Sequence, residues 1–183
     1  FLILGVPRIY VTGSLLRGNL GSWGDEWPNS AEMAGLIAIT LVLGPVEEFG
    51  WRGVLQPLLQ RRLAPLWAGL IVGALWGLWH LPAFLLAGTP QSEWQFAPFL
   101  VAAVAISVIM TALFNDTGGS LLFAGLLHFQ LNNPLWPDAQ PHDSIVFVLA
   151  AAIVVLVKRS AMMDKRSGLT MVMADQRRGG SRR

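Results

Sequence analysis

Ionisable side chains are scarce in the apolar stretches of this chain, and those present fall in three short segments. "GPVEEFGWRGVLQPLL" carries Glu47, Glu48 and Arg52, "WGLWHLP" carries His80, and "HFQLN" carries His128 and Asn132. A carboxylate beside imidazoles in a water-poor cavity can activate water, with Glu as general base and His sharing that role or orienting the water. An Asn amide and an N–H-bearing imidazole can donate to a developing oxyanion. Alternatively, Glu47, His80 and His128 make a zinc set, with one coordination position left for water. Either arrangement hydrolyses an amide.

Spacing sharpens these roles. Glu48 and Arg52 are i,i+4 with the acid on the N-terminal side, the favoured order for an intrahelical pair. Glu47 is rotated by about 100° from Glu48 on a helix. Without a local partner, it is expected to find one on another helix. His128 and Asn132 are also i,i+4 and so share a face. Charged groups inside a membrane cost roughly 2.5–3.5 kcal/mol each on insertion scales. One shared internal cluster is the economical way to satisfy groups from three helices. Taken singly, Glu48–Arg52 reads as a structural ion pair. His80 alone reads as a hydrogen-bonded packing residue, and His128–Asn132 as a helix-to-helix bond.

The elements that must hold such a cluster are transmembrane helices. The chain has 183 residues, 54% of them hydrophobic and 13% charged, against roughly 25% charged in soluble domains. The fold class expected is all-α, a polytopic transmembrane helix bundle. Cysteine is absent, which excludes disulfides and any Cys-based site. The chain begins at Phe1 rather than Met, so it is expected to be a fragment with helices before it. Residues 1–16 read as the remains of a span broken by Pro7 and Arg8. A helix is predicted from Ala31 to about Leu63, with Ser30 as N-cap and bends near Gly44-Pro45 and Pro57. Further spans are predicted at 64–88, 95–114, 120–136 and 143–158.

Residues 1–157 hold five Arg against nine acids, whereas 158–183 hold eight Lys or Arg against Asp164 and Asp175. The alternation of spans puts Arg61-Arg62 and Lys158-Arg159 on one side, which the positive-inside rule makes the cytoplasm. Arg17 falls on the outer side and does not fit that rule. The expected organisation is a membrane domain over 1–160 and a basic, disordered cytoplasmic tail over 161–183. The tail has no aromatic residue to stack a base, so nucleic acid is not an expected partner. Asn115-Asp116 read as the start of a turn, and His142 as surface. Trp23, Trp27, Trp94 and Trp136 read as interfacial, and Trp51, Trp76 and Trp79 as cavity-lining.

With those residues in place, a resemblance emerges. "EEFGWR" (47–52) resembles the EExxxR motif of the CPBP family of intramembrane proteases, which includes the type 2 CAAX prenyl proteases and bacterial Abi proteins. "WGLWH" (76–80) resembles the family's FxxxH motif, with Trp76 where Phe is commoner. "HFQLN" (128–132) matches its HxxxN motif. The resemblance implies an intramembrane endopeptidase in a prokaryotic plasma membrane, its partners being lipid and a membrane-associated protein or peptide substrate. It implies Glu47 as the water-activating carboxylate, with His80 as its partner. His128 and Asn132 would be metal ligands or an oxyanion hole. Glu48 and Arg52 would be the supporting pair, fixing the helix and contacting a substrate carboxylate. Members are commonly called metalloproteases, and a metal-independent Glu/His mechanism also fits the residues, so Zn2+ stays open.

Two other classes compete. A non-catalytic membrane binder, such as a bacteriocin-immunity factor on the same fold, would not need the full Glu/His/His/Asn set. A proton-coupled carrier would be expected to show a pseudo-symmetric second half, and no internal repeat is seen. HExxH and GxSxG motifs are both absent.

Overall fold

The computed structural model describes residues 5–18, 29–132 and 139–172. The acidic loop with Trp23 and Trp27, the segment with Pro134 and Trp136, and the basic end from 173 lie outside the described residues. Helices follow one another along the chain, and no strand occurs among the described residues. They are α1 (Gly5–Arg17), α2 (Ser30–Gly50), α3 (Gln56–Gln60), α4 (Pro65–Trp79), α5 (Leu81–Leu85), α6 (Phe96–Asp116), α7 (Leu121–Leu131), α8 (Asp143–Val157) and α9 (Arg159–Met163). A π turn, Trp51–Leu55, joins α2 to α3 without a break.

Among the described residues, three stretches are long and apolar enough to cross a membrane: Ser30–Gln60, Pro65–Leu85 and Phe96–Asp116. Helices α7 and α8 are apolar but shorter. Exposed Leu122, Leu149, Ile153 and Leu156 cover their outer faces, which suits a lipid surface. The protein is an all-α membrane helix bundle.

Several boundaries differ from the sequence expectations for local reasons. Pro7 does not break α1, because it sits in the first turn, where its missing N–H would have no intrahelical acceptor. The cap of α2 is Asn29 rather than Ser30. The Asn29 side chain accepts from the Ala31 and Glu32 amides at 3.0 Å, and Glu32 returns a bond to the Asn29 amide. Helix α2 runs on through Gly44 and Pro45, and its irregularity falls instead at the π turn. The 64–88 span is interrupted at His80, which closes α4 and opens α5.

Helix α6 is the centre of the bundle. It packs along α4 on one side, along α8 on another, and against α7. Close approach to α4 depends on a glycine stripe: a Cβ at Gly73 would lie 2.6 Å from the Val104 Cα. Small residues at four-residue spacing let membrane helices meet backbone to backbone. The ends of α6 and α8 meet through an ion pair from Lys158 Nζ to Asp116 Oδ2, 2.7 Å long. Arg61, just past α3, donates Nε–H to the Thr170 carbonyl at 3.1 Å. Asn115 also bonds Gln60, so positions 61, 116 and 158 lie at one end of the bundle.

Residues 161–172 are not the disordered tail expected of them. Helix α9 buries Met162, and Gly168 seats against Gln60, where a Cβ would come within 2.7 Å of Oε1. The tail's charged composition concealed this docking, because its apolar anchors are only Met162 and the half-buried Leu169.

Candidate active site

The π turn begins at Trp51, three residues after Glu48. The helix presents Glu47 and Glu48 in different directions, and each meets a different neighbour. Glu47 points toward α4. Its Oε2 accepts the Trp76 indole N–H at 2.9 Å and a longer bond from Trp51 Nε1 at 3.4 Å. Its Oε1 has no partner among the described residues.

Glu48 points inward and is fully buried. Arg52 Nη1 lies 3.2 Å from its Oε1 and 3.1 Å from its Oε2, and His128 Nδ1 donates to Oε1 at 2.6 Å. Arg52 Nη2 donates to Ser107 Oγ on α6 at 3.0 Å. The expected Glu48–Arg52 pair is present, and it is shared with His128. Both members have no exposed surface, so the expected contact with a substrate carboxylate does not fit this arrangement. His128 was expected to accompany Glu47. It bonds Glu48 instead, because the rotation of one residue directs Glu48 toward α7 and Glu47 toward α4.

The hydrogen bonds also assign protons. A carbonyl oxygen only accepts, so His80 Nδ1, 2.8 Å from the Trp76 carbonyl, carries the hydrogen. In the neutral ring, Nε2 then holds the lone pair. His128 donates Nδ1–H to a carboxylate, so its Nε2 can donate only when the ring is an imidazolium. The His80 ring sits edge-on among Trp76, Trp79 and Phe99, with centroids at 5.4, 5.1 and 5.2 Å.

Asn132 caps α7, one turn after His128. Gly44 of α2 lies against both. A Cβ there would stand 2.7 Å from Asn132 Nδ2, 2.8 Å from His128 Cδ2 and 3.2 Å from His128 Nε2. The α2–α7 contact continues where Pro45 packs on Gly125. Gly44 thus allows the close helix approach that holds the HxxxN residues beside the glutamate helix.

Trp76 is the common neighbour. Its indole N–H holds Glu47, its ring lies 5.4 Å from His80 and 5.3 Å from His128, and the Arg52 guanidinium carbon sits 5.8 Å above it. Sequence reasoning named it as a cavity wall and as the aromatic of the FxxxH-like motif, but not as a hydrogen-bond donor. Its position four residues before His80, with an N–H that phenylalanine lacks, was the available signal.

A second polar set went unremarked. Gln56 and Gln60 continue the four-residue period of Glu48 and Arg52, and all four are fully buried. They face Ser107, Thr111 and Asn115 on α6, which share that period. Thr111 Oγ1 donates to Gln56 Oε1 at 3.1 Å, and Asn115 Nδ2 donates to Gln60 Oε1 at 2.7 Å. Asn115 therefore does two things: its carbonyl accepts the Gly118 amide at 3.2 Å, opening the turn after α6 as expected, and its side chain bonds across helices. His142, read as surface, is partly buried at the start of α8.

Among the described residues, no three His, Asp or Glu side chains are grouped to hold a metal ion. Glu47, His80 and His128 are not brought together as a ligand set in this arrangement.

A family model described as "Type II CAAX prenyl endopeptidase Rce1-like" matches residues 29–133. The chain is also 27% identical over 142 residues to a CAAX prenyl protease 2 of Methanococcus maripaludis, covering 71% of this chain and 52% of the relative. It thus spans about half the length of that relative. The matched stretch opens at the cap of α2 and closes one residue past Asn132, enclosing the whole cluster around Trp76. On that ground, the chain belongs to the Rce1-like family of type II CAAX prenyl endopeptidases.

Proposed function

We propose that this chain carries the catalytic centre of an intramembrane endopeptidase. Its substrate would be a membrane-associated protein with a prenylated CAAX end, in a prokaryotic plasma membrane, with the 158–172 segment on the cytoplasmic side. The observation that carries the reading is the grouping of Glu47, His80 and His128 around one buried indole.

In the proposed mechanism, Glu47 Oε1 takes a proton from water while His80 Nε2 accepts that water's other hydrogen bond. The water oxygen attacks the scissile carbonyl carbon, and the carbonyl electrons move onto oxygen. Asn132 Nδ2 donates to the oxyanion, and so does His128 Nε2 as an imidazolium. Glu48 is the counter-ion that makes a cationic His128 tolerable in a buried site, and Arg52 balances Glu48. When the C–N bond breaks, protonated Glu47 returns its proton to the leaving nitrogen. The products are a new carboxyl terminus and a free amine. His80 is kept in the tautomer this needs by the Trp76 carbonyl.

The test is cleavage of a farnesylated CAAX-ended peptide by the protein in liposomes, with chelator present. His80→Ala, His128→Ala and Asn132→Ala should each reduce turnover by about 10²-fold or more, with the fold retained. Full activity in His80→Ala and His128→Ala, or a strict zinc requirement, would overturn this mechanism.

A further inference from the structure

Trp76 is 5% exposed, so its indole N–H needs a partner inside the protein. That partner is Glu47 Oε2 at 2.9 Å, and Trp51 Nε1 approaches the same oxygen at 3.4 Å. Both donors converge on one oxygen of the carboxylate. The other oxygen, Oε1, has no partner among the described residues. A carboxylate with one oxygen anchored has lost most of its freedom to rotate, and its unanchored oxygen faces a set direction. A glutamate in a membrane helix with no such anchor would sample several rotamers and align with water only part of the time.

Trp76 also touches the other members of the site. Its carbonyl accepts from His80 Nδ1 at 2.8 Å, and its ring packs edge-on to both imidazoles. It is held in place by the approach of α4 to α6, where Gly73 and Gly77 allow contact with Val104 and Leu100.

We propose that Trp76 is a positioning residue for the hydrolysis, and that its N–H, rather than its aromatic bulk, orients Glu47. The proposal rests on the reading of Glu47 as the base. Phenylalanine at this position keeps an aromatic body for the two histidines but leaves Oε2 with only the long bond from Trp51. The backbone carbonyl, and with it the His80 tautomer, is unaffected by the side chain. The expected signature is therefore a fall in kcat with KM nearly unchanged.

The experiment replaces Trp76 with benzothienylalanine, which exchanges only the N–H for sulfur, and with Phe. Both are assayed in liposomes on the farnesylated peptide, beside Glu47→Gln. Expected is a kcat lower by about 10- to 100-fold, the range for losing a hydrogen bond to a charged group, with KM within about two-fold of wild type. A wild-type kcat in the benzothienyl protein, with Glu47→Gln inactive, would overturn the proposal and leave the reading of Glu47 standing. An active Glu47→Gln would instead sink that reading. The indole 1H–15N resonance of Trp76, assigned by incorporating 15N-tryptophan at that codon alone, should shift upfield in Glu47→Ala. An unmoved resonance would refute the proposal even if the position-76 variants failed to fold.

Discussion

Replacing Arg52 by Met tests whether the buried charges act as one unit. Arg52 and Glu48 have no exposed surface, and the guanidinium reaches Glu48 at 3.1–3.2 Å and Ser107 at 3.0 Å. Removing one partner of a buried pair strands the other charge, at a cost of about 3–5 kcal/mol. That corresponds to roughly 10²–10⁴ in the folded-to-unfolded ratio. Arg52→Met should therefore be severely destabilised, and Glu48→Gln nearly as much. The double variant Glu48→Gln/Arg52→Met contains neither charge. It should be more stable than the sum of the singles by a coupling of up to about 3 kcal/mol. Cleavage should nevertheless stay absent in the double variant. His128 Nδ1, 2.6 Å from Glu48 Oε1, would lose the carboxylate that orients it and balances an imidazolium. The assay is reversible unfolding in mixed micelles followed by tryptophan fluorescence, with turnover measured on the same samples. Costs that simply add, or an active double variant, would refute the reasoning.

Other outcomes follow from single contacts. Gly44→Ala would place a Cβ within 2.7–2.8 Å of Asn132 Nδ2 and His128 Cδ2. A misplacement of that kind should cut turnover by about 10²-fold, read as kcat beside a melting curve that falls only modestly. Thr111→Val removes the donor to Gln56 Oε1 and should cost about 1–3 kcal/mol in stability, measured in the same micelle titration. At the exposed turn after α9, the Arg166 side chain and amide hold the Asp164 carboxyl below the usual carboxylate range. A depressed folded value means that this contribution is present above the ordinary Asp range and is lost as pH falls through the depressed one. Exchange of the Arg166 amide, held by Asp164 Oδ1 at 2.9 Å, should therefore become less protected below about pH 4.

Where the sequence was informative, the reason was scarcity. In an apolar chain each ionisable group must be accommodated, so Glu47, His80 and His128 could be expected to share neighbours before their contacts were seen. The spacing of Glu48 and Arg52 predicted their bond directly, because i,i+4 geometry is local. Which glutamate His128 would join was not legible, since that depends on how α2 and α7 rotate against each other. The π turn at Trp51–Leu55 was equally hidden. Gly44 and Pro45 looked like the point of irregularity, but Gly44 serves close packing and Pro45 is carried within the helix. The period of Glu48, Arg52, Gln56 and Gln60, matched by Ser107, Thr111 and Asn115, could have been read and was not. Glutamine and threonine seemed ordinary at the end of a span, although burial makes each of them need a partner. The docking of 161–172 rests on Met162, Leu169, Gly168 and a backbone carbonyl, and so few contacts do not stand out in composition.

The most direct test of the account is a single-turnover reaction in H2 18O, comparing the wild-type chain with Glu47→Gln in liposomes on a farnesylated CAAX-ended peptide. The account predicts that wild-type product carries one solvent oxygen at its new carboxyl terminus, and that the Glu47→Gln protein, folded by its melting curve, releases none. Product formed by Glu47→Gln at the wild-type rate, or wild-type product without solvent oxygen in that turnover, would contradict water activation by Glu47.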